Sequence, residues 1–157
     1  MKPLVQRSGG VFAGAPNAES GITTLIEALE IYPGARVEIV VDTSNLQQRL
    51  QSAAYLVLPV LACDGIPTPV YAAFAQGVPV IASRVGPLGE LIEPGRNGLL
   101  FAPGSARDLA RRLAWAEAFP EKMRQMGECA RADYQARFIA AYSYPTLFGE
   151  RRRSARA

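Results

Sequence analysis

The sequence contains no histidine. That removes the usual general base at neutral pH, the commonest zinc ligand and every Ser-His or Cys-His nucleophilic pair. Cysteine is almost as scarce. Cys63 and Cys129 are far apart and offer no metal-ligand spacing, so no metal is expected. Such sparing use suits a reducing compartment, and a cytoplasmic location is expected. No apolar run approaches the roughly 18 residues needed to cross a bilayer. The opening stretch MKPLVQRSGGVFAG lacks the apolar segment of a secretory signal. An early Gly-x-Gly-x-x-Gly is also missing. The first loop reads Gly14-Ala15-Pro16-Asn17-Ala18-Glu19, which argues against a dinucleotide cofactor.

What is present is the composition of one globular domain. The chain has 157 residues, long enough to bury a full core without disulfides or metal. Apolar residues make up 49% and charged residues 20%, which excludes disorder through the body. The net charge is +3, and the excess sits at the end in Arg151, Arg152, Arg153 and Arg156. No aromatic residues interleave with these arginines, so nucleic acid is not expected as a partner. The tail reads either as a solvated terminus or as a peripheral contact to membrane phosphates.

Residues 1–10 read as a leader, 11–149 as the domain and 150–157 as the basic tail. Short apolar runs mark strands at Val11–Ala13, Tyr55–Val60, Val78–Ser83 and Leu99–Phe101, and β-branched content marks another at Arg36–Val41. Between them lie helical patterns at Ile22–Tyr32, Asn45–Ala53, Val70–Gln76, a short one opened by Gly86–Glu90, and Ala106–Ala118. Ser20 is placed to cap the first, and Pro120 to open a last helix running to about Ala140. Tyr142–Glu150 has no clear pattern. Apolar strands alternating with helices predict an α/β fold with a Rossmann-like parallel sheet covered on both faces.

In open parallel sheets, ligands bind outside the carboxyl ends of the strands. Two loops stand at such ends. One follows Val60 and holds Asp64 and Gly65; the other follows Ser83 and holds Gly86, Gly89 and Glu90. Each precedes a helix whose first amides favour a phosphate. On pattern alone, the crevice suits a nucleotide or a phosphosugar.

The stretch from Leu58 to Gly98, LPVLACDGIPTPVYAAFAQGVPVIASRVGPLGELIEPGRNG, is more specific. It resembles the donor-site region of family-4-type retaining glycosyltransferases (glycosyl transferases group 1). Ala73–Ser83, Val85-Gly86, Glu90, Ile92, Gly95 and Gly98 follow that family's ordered pattern. Val11–Gly14, Gly21-Ile22 and Leu25–Ala28 resemble its opening strand, loop and helix. Leu100–Gly104 and Asp108–Ala110 resemble its late turn and helix, and Tyr142-Ser143-Tyr144 its aromatic-Ser-aromatic step. The resemblance covers roughly residues 11 to 149. It implies the C-terminal, donor-binding half of a GT-B fold, with a nucleotide sugar as substrate and no cofactor. It also implies an acceptor domain or partner chain to complete the site. Between Val41 and Tyr55 the chain is shorter than the family by about a strand and a helix.

The family holds its donor with two glutamates, whose positions fall on Asp64 and Ala72. Ala72 cannot accept a hydrogen bond from ribose, a contact of about 1.5–3 kcal/mol when charge-assisted. Asp64 keeps a carboxylate and is the catalytic-site candidate, although an Asp-Gly turn explains it equally. An Arg and a Lys that neutralise the family's diphosphate fall on Ala15 and Ser20. Both charges are gone, and with them the main help for a departing diphosphate. Gly14, Ser20, Gly65, Ile66, Thr68, Gly86 and Glu90 complete the expected donor-binding set. Ser20 also reads as a helix cap, Pro69 as a first-turn residue without an N–H, and Glu90 as a complement to a helix dipole. Tyr142, Tyr144 and Trp115 read as packing. Three functions fit: a donor domain for retaining glycosyl transfer, a degenerate non-catalytic relative, and a generic Rossmann-like binding domain.

Overall fold

In the computed structural model the described residues are 7–147. Five strands form one fully parallel sheet: β1 (Gly10–Ala13), β2 (Val37–Val40), β3 (Tyr55–Leu58), β4 (Val80–Ser83) and β5 (Gly98–Phe101). Their order across the sheet is β2-β1-β3-β4-β5. Six helices connect and follow them: α1 (Ile22–Ile31), α2 (Leu46–Leu50), α3 (Thr68–Ala75), α4 (Leu88–Leu91), α5 (Ala106–Ala118) and α6 (Pro120–Leu147). Short 3₁₀ turns at Ala18–Ser20 and Thr43–Asn45 lead into α1 and α2. No helix among the described residues is long and apolar enough to cross a membrane. The arginine tail lies outside the described residues.

The continuous apolar runs are strands because both faces of the sheet are covered. Alternation divides their side chains between two cores. Val11, Leu56, Leu58, Val80, Ala82 and Leu100 pack with α2, α3 and α4, where Leu50, Val70, Phe74 and Leu88 meet them. Phe12, Tyr55, Val57, Ile81 and Phe101 point to the other face and pack under α1 and α5 through Leu25, Ala28, Leu109 and Leu113. Tyr55 is fully buried, and its hydroxyl donates to Glu117 on α5 at 2.7 Å. Burial, then this bond, push the phenol well above its ordinary range.

The predicted elements are all present, with shifted ends. β1 begins at Gly10, inside the expected leader. β3 stops at Leu58, so Pro59 and Val60 belong to the following loop. α3 starts at Thr68 because Pro67 takes the cap position and Pro69 fits the first turn. α6 runs on to Leu147, further than its pattern suggests. Tyr142 and Tyr144 fall within α6, but their side chains lie outside the described residues. Trp115 packs on Phe119 with ring centroids 5.0 Å apart, as a packing residue would.

β2 is an edge strand of the sheet. Only a 3₁₀ turn and the five-residue α2 separate it from β3. Ile39 and Val41 are exposed there, and Glu38 pairs with Arg49 of α2 at 2.9 Å.

The turn before β5 is tied to α6. Arg96 donates two bonds to Asp133, both of 2.7 Å. Buried Asn97 accepts from the Glu93 amide at 2.8 Å and donates to the Leu91 carbonyl and to Asp133. Hydrogen bonding to Arg96 holds the Asp133 carboxyl below its ordinary range. A depressed carboxylate stabilises the fold above its unfolded pKa, near 3.9, and loses that effect as pH falls through the folded value. Because Arg96 is half exposed, solvent screening limits the contribution to about 1 kcal/mol. In urea titrations the wild type should exceed Asp133→Asn by that margin at pH 6. The gap should close as the pH is taken below 4.

Candidate functional site

The strand order places β1 between β2 and β3, so the chain leaves the carboxyl end of β1 at the point where the winding reverses. This switch point is where open α/β sheets hold their ligands. The loops after β1 (residues 14–21), β3 (59–67) and β4 (84–87) all emerge at this end.

Two glycine joints lock these loops together. Gly21 has φ +78°, and a β-carbon there would overlap the Pro59 carbonyl oxygen of the neighbouring loop. Beside it the Leu61 amide donates to the Glu19 carbonyl at 3.0 Å. Gly86 has φ +50°, and its β-carbon would stand 2.8 Å from the Cys63 carbonyl oxygen. These contacts join the β1 loop to the β3 loop and the β3 loop to the β4 loop. Gly86 is thus explained by the protein's own backbone. In the sequence Gly21 signals only a helix start; the loop contact it permits joins residues distant in the chain.

The structure brings most of the expected residues to this end. Asp64 and Gly65 are exposed on the β3 loop, and a β-carbon on Gly65 would meet nothing within 4 Å. Ile66 is half-buried and packs on the core below. Thr68 opens α3 and is exposed. Glu90 is exposed on α4, directly after the β4 loop. Gly14 ends β1 under Ser20, with no room to spare against the Phe12 ring.

Ser20 differs from expectation. The cap position of α1 belongs to Gly21, and Ser20 closes the preceding 3₁₀ turn. Its hydroxyl donates to the Asn17 carbonyl at 2.8 Å and accepts from the Ile22 amide at 3.3 Å. The proton a phosphate would need is therefore spent within the loop. Ala72 is half-buried and packs on the core, and Ala15 is exposed in the β1 loop.

The charges at this end are mostly negative. Glu19, Asp42 and Asp64 stand in the loops after β1, β2 and β3. Arg84, the first residue after β4, is the sole cation in the five carboxyl-end loops, all of which lie among the described residues. The family resemblance assigns no role to Arg84. Beneath it the Ser83 hydroxyl is fully buried and has no hydrogen-bond partner. No cluster of residues that could hold a metal ion occurs among the described residues.

Asp64, Gly65, Thr68, Arg84 and Glu90 all stand exposed at this end. Two hollows among the described residues, of about 610 and 160 Å³, lie at the amino end of the sheet. None of the expected donor residues lines either one.

The pattern shared by the family of glycosyl transferases group 1 matches residues 10–133, most of the chain and all five strands. The chain belongs to this family. Among similar proteins, an exopolysaccharide phosphotransferase of Streptomyces coelicolor is 28% identical over 122 residues, which is 76% of this chain and 12% of that protein. Sucrose-phosphate synthase of Thermosynechococcus elongatus superposes with a TM-score of 0.74 at 26% identity, covering 94% of this chain and 47% of the other. Anabaena HepE, solved with UDP and glucose, superposes with a TM-score of 0.76 at 20% identity, covering 92% and 49%. The chain thus spans about half of these two solved chains and about an eighth of the phosphotransferase. The α/β sheet is that of one half of the GT-B fold.

Proposed function

We propose that this chain is the nucleotide-sugar-binding half of a group 1 glycosyltransferase, serving retaining transfer together with an acceptor-binding domain supplied from elsewhere. The observation that carries the reading is the locked convergence of the β1, β3 and β4 loops at the carboxyl end of the sheet. An exposed surface there suits one wall of a cleft that a second domain closes. HepE, bound to UDP and glucose, supports a uridine nucleotide as the first donor to try.

The parts have distinct tasks. The first turn of α3 offers the positive end of a helix dipole to the diphosphate. Gly65 leaves room for the donor to approach the backbone, and Asp64 and Glu90 accept hydrogen bonds from sugar hydroxyls. Arg84 is the one side chain that can offset diphosphate charge. Against it stand three acidic residues in the same loops, so affinity is weak and turnover slow. That imbalance, with the committed Ser20 hydroxyl, favours a second reading: a non-catalytic partner subunit.

Thermal unfolding with UDP, GDP, ADP and their glucose conjugates separates the two. On the first reading one nucleotide raises Tm at millimolar concentration. At ten times Kd the gain is about 1.4 kcal/mol, or roughly 3–6 °C for a domain of this size. Arg84→Ala should abolish it. A flat response to every nucleotide would leave only the non-catalytic reading.

A further inference from the structure

The smaller hollow, of about 160 Å³, lies at the amino end of the sheet, opposite the donor loops. Ala53, Ala54, Gly77 and Pro79 line it together with Arg7 and Arg124. Arg7 is only 7% exposed, and all three of its guanidinium nitrogens lack a hydrogen-bond partner. A guanidinium cannot shed its proton in a protein. A buried and unpaired one is strongly destabilising, so native proteins supply a counter-charge. Burial, and then repulsion from Arg131, hold the Arg7 pKa below its ordinary value, both disfavouring the charge it must carry.

The chain's own carboxylates near the hollow are committed elsewhere. Glu121 lines it but is held by Arg124, which also bonds Glu128. The first turn of the long helix α6 forms another wall, adding the positive end of its dipole. The unpartnered Arg7 guanidinium and a helix start thus face a space large enough for a small ion, while Arg124 is already engaged by Glu121 and Glu128.

We propose that this hollow binds an oxyanion of the phosphate class, with Arg7 as its principal ligand. The site is separate from the donor surface, and its occupancy stabilises the fold rather than serving transfer. A tetrahedral oxyanion can take two parallel bonds from the Arg7 fork and still turn further oxygens toward the start of α6, whereas acetate spends both of its oxygens on the fork.

The test is a titration of the chain with inorganic phosphate, acetate or chloride at matched ionic strength. It is followed by the ¹⁵N–¹H resonance of the Arg7 Nε and by Tm. Phosphate should shift the Arg7 resonance saturably and raise Tm by several degrees. In Arg7→Met the Tm response to phosphate should vanish, while its Tm in chloride should exceed that of the wild type. An Arg7 resonance indifferent to phosphate would overturn the proposal, as would an equal or stronger response to acetate. The resonance is read on the wild-type chain, so the outcome does not depend on how the variant folds. A nucleotide response that survives Arg7→Met would leave the donor reading intact whatever happens here.

Discussion

Gly21→Ala should destabilise the domain by about 3–5 kcal/mol, at the extreme of what single substitutions do. Two costs combine. The backbone at φ +78° lies in the left-handed region, which costs a residue with a β-carbon about 1–3 kcal/mol. The β-carbon would also overlap the Pro59 carbonyl oxygen, and Pro59 is buried and cannot step aside. The β1 and β3 loops must part, and the bond from the Leu61 amide to the Glu19 carbonyl goes with them. For a domain of this size Tm should fall by roughly 10 °C or more. Gly65→Ala is the control: its β-carbon enters open space, so a change within about 0.5 kcal/mol is expected. Urea unfolding of both variants decides the matter. Equal stability would mean that the two loops are not held together as described.

The second large effect is a gain. Ala15→Arg, Ser20→Lys and Ala72→Glu together restore the charged positions that the family resemblance assigns to donor binding. Each contact is worth about 1.5–3 kcal/mol when charge-assisted. Part of that sum is lost, because a lysine at position 20 must displace the hydroxyl bonds Ser20 now makes to Asn17 and Ile22. A glutamate at position 72 must likewise emerge from a place where Ala72 now packs on the core. The triple variant should still bind UDP about 100-fold more tightly than the wild type, a difference near 2.7 kcal/mol. Calorimetric titration measures it directly. A triple variant no better than the wild type would show that the donor surface has diverged beyond these three side chains.

The fold is largely legible in the sequence because four of its five strands, β1, β3, β4 and β5, are buried on both faces. YLVLPV and VPVIAS read as strands in any context. Helix α5 is placed end to end at Ala106–Ala118, and the structure adds that the Ser105 side chain caps it by accepting from the Asp108 amide. Ends shift where proline geometry decides them, as with Pro67 before α3; α1 starts at Ile22 as expected, but with Gly21 rather than Ser20 at its cap position. The loops that form the candidate surface are legible as a family pattern spread over contiguous residues. The joints between those loops are not, since Gly21 meeting Pro59 and Gly86 meeting Cys63 are contacts between distant segments. Arg84 and Arg7 escape a linear reading for a related reason. Their significance lies in the charges around them, which only the folded arrangement assembles.

At β2 the sheet ends in a row of backbone donors and acceptors with no neighbouring strand on their outer side, next to exposed Ile39 and Val41. Such a border is a template onto which another chain can add a strand. Two features restrain this. The border is only four residues long, and the Glu38–Arg49 pair must surrender its hydration before a second backbone can lie alongside. The brevity of this border and the Glu38–Arg49 pair thus act together as gatekeepers against self-association.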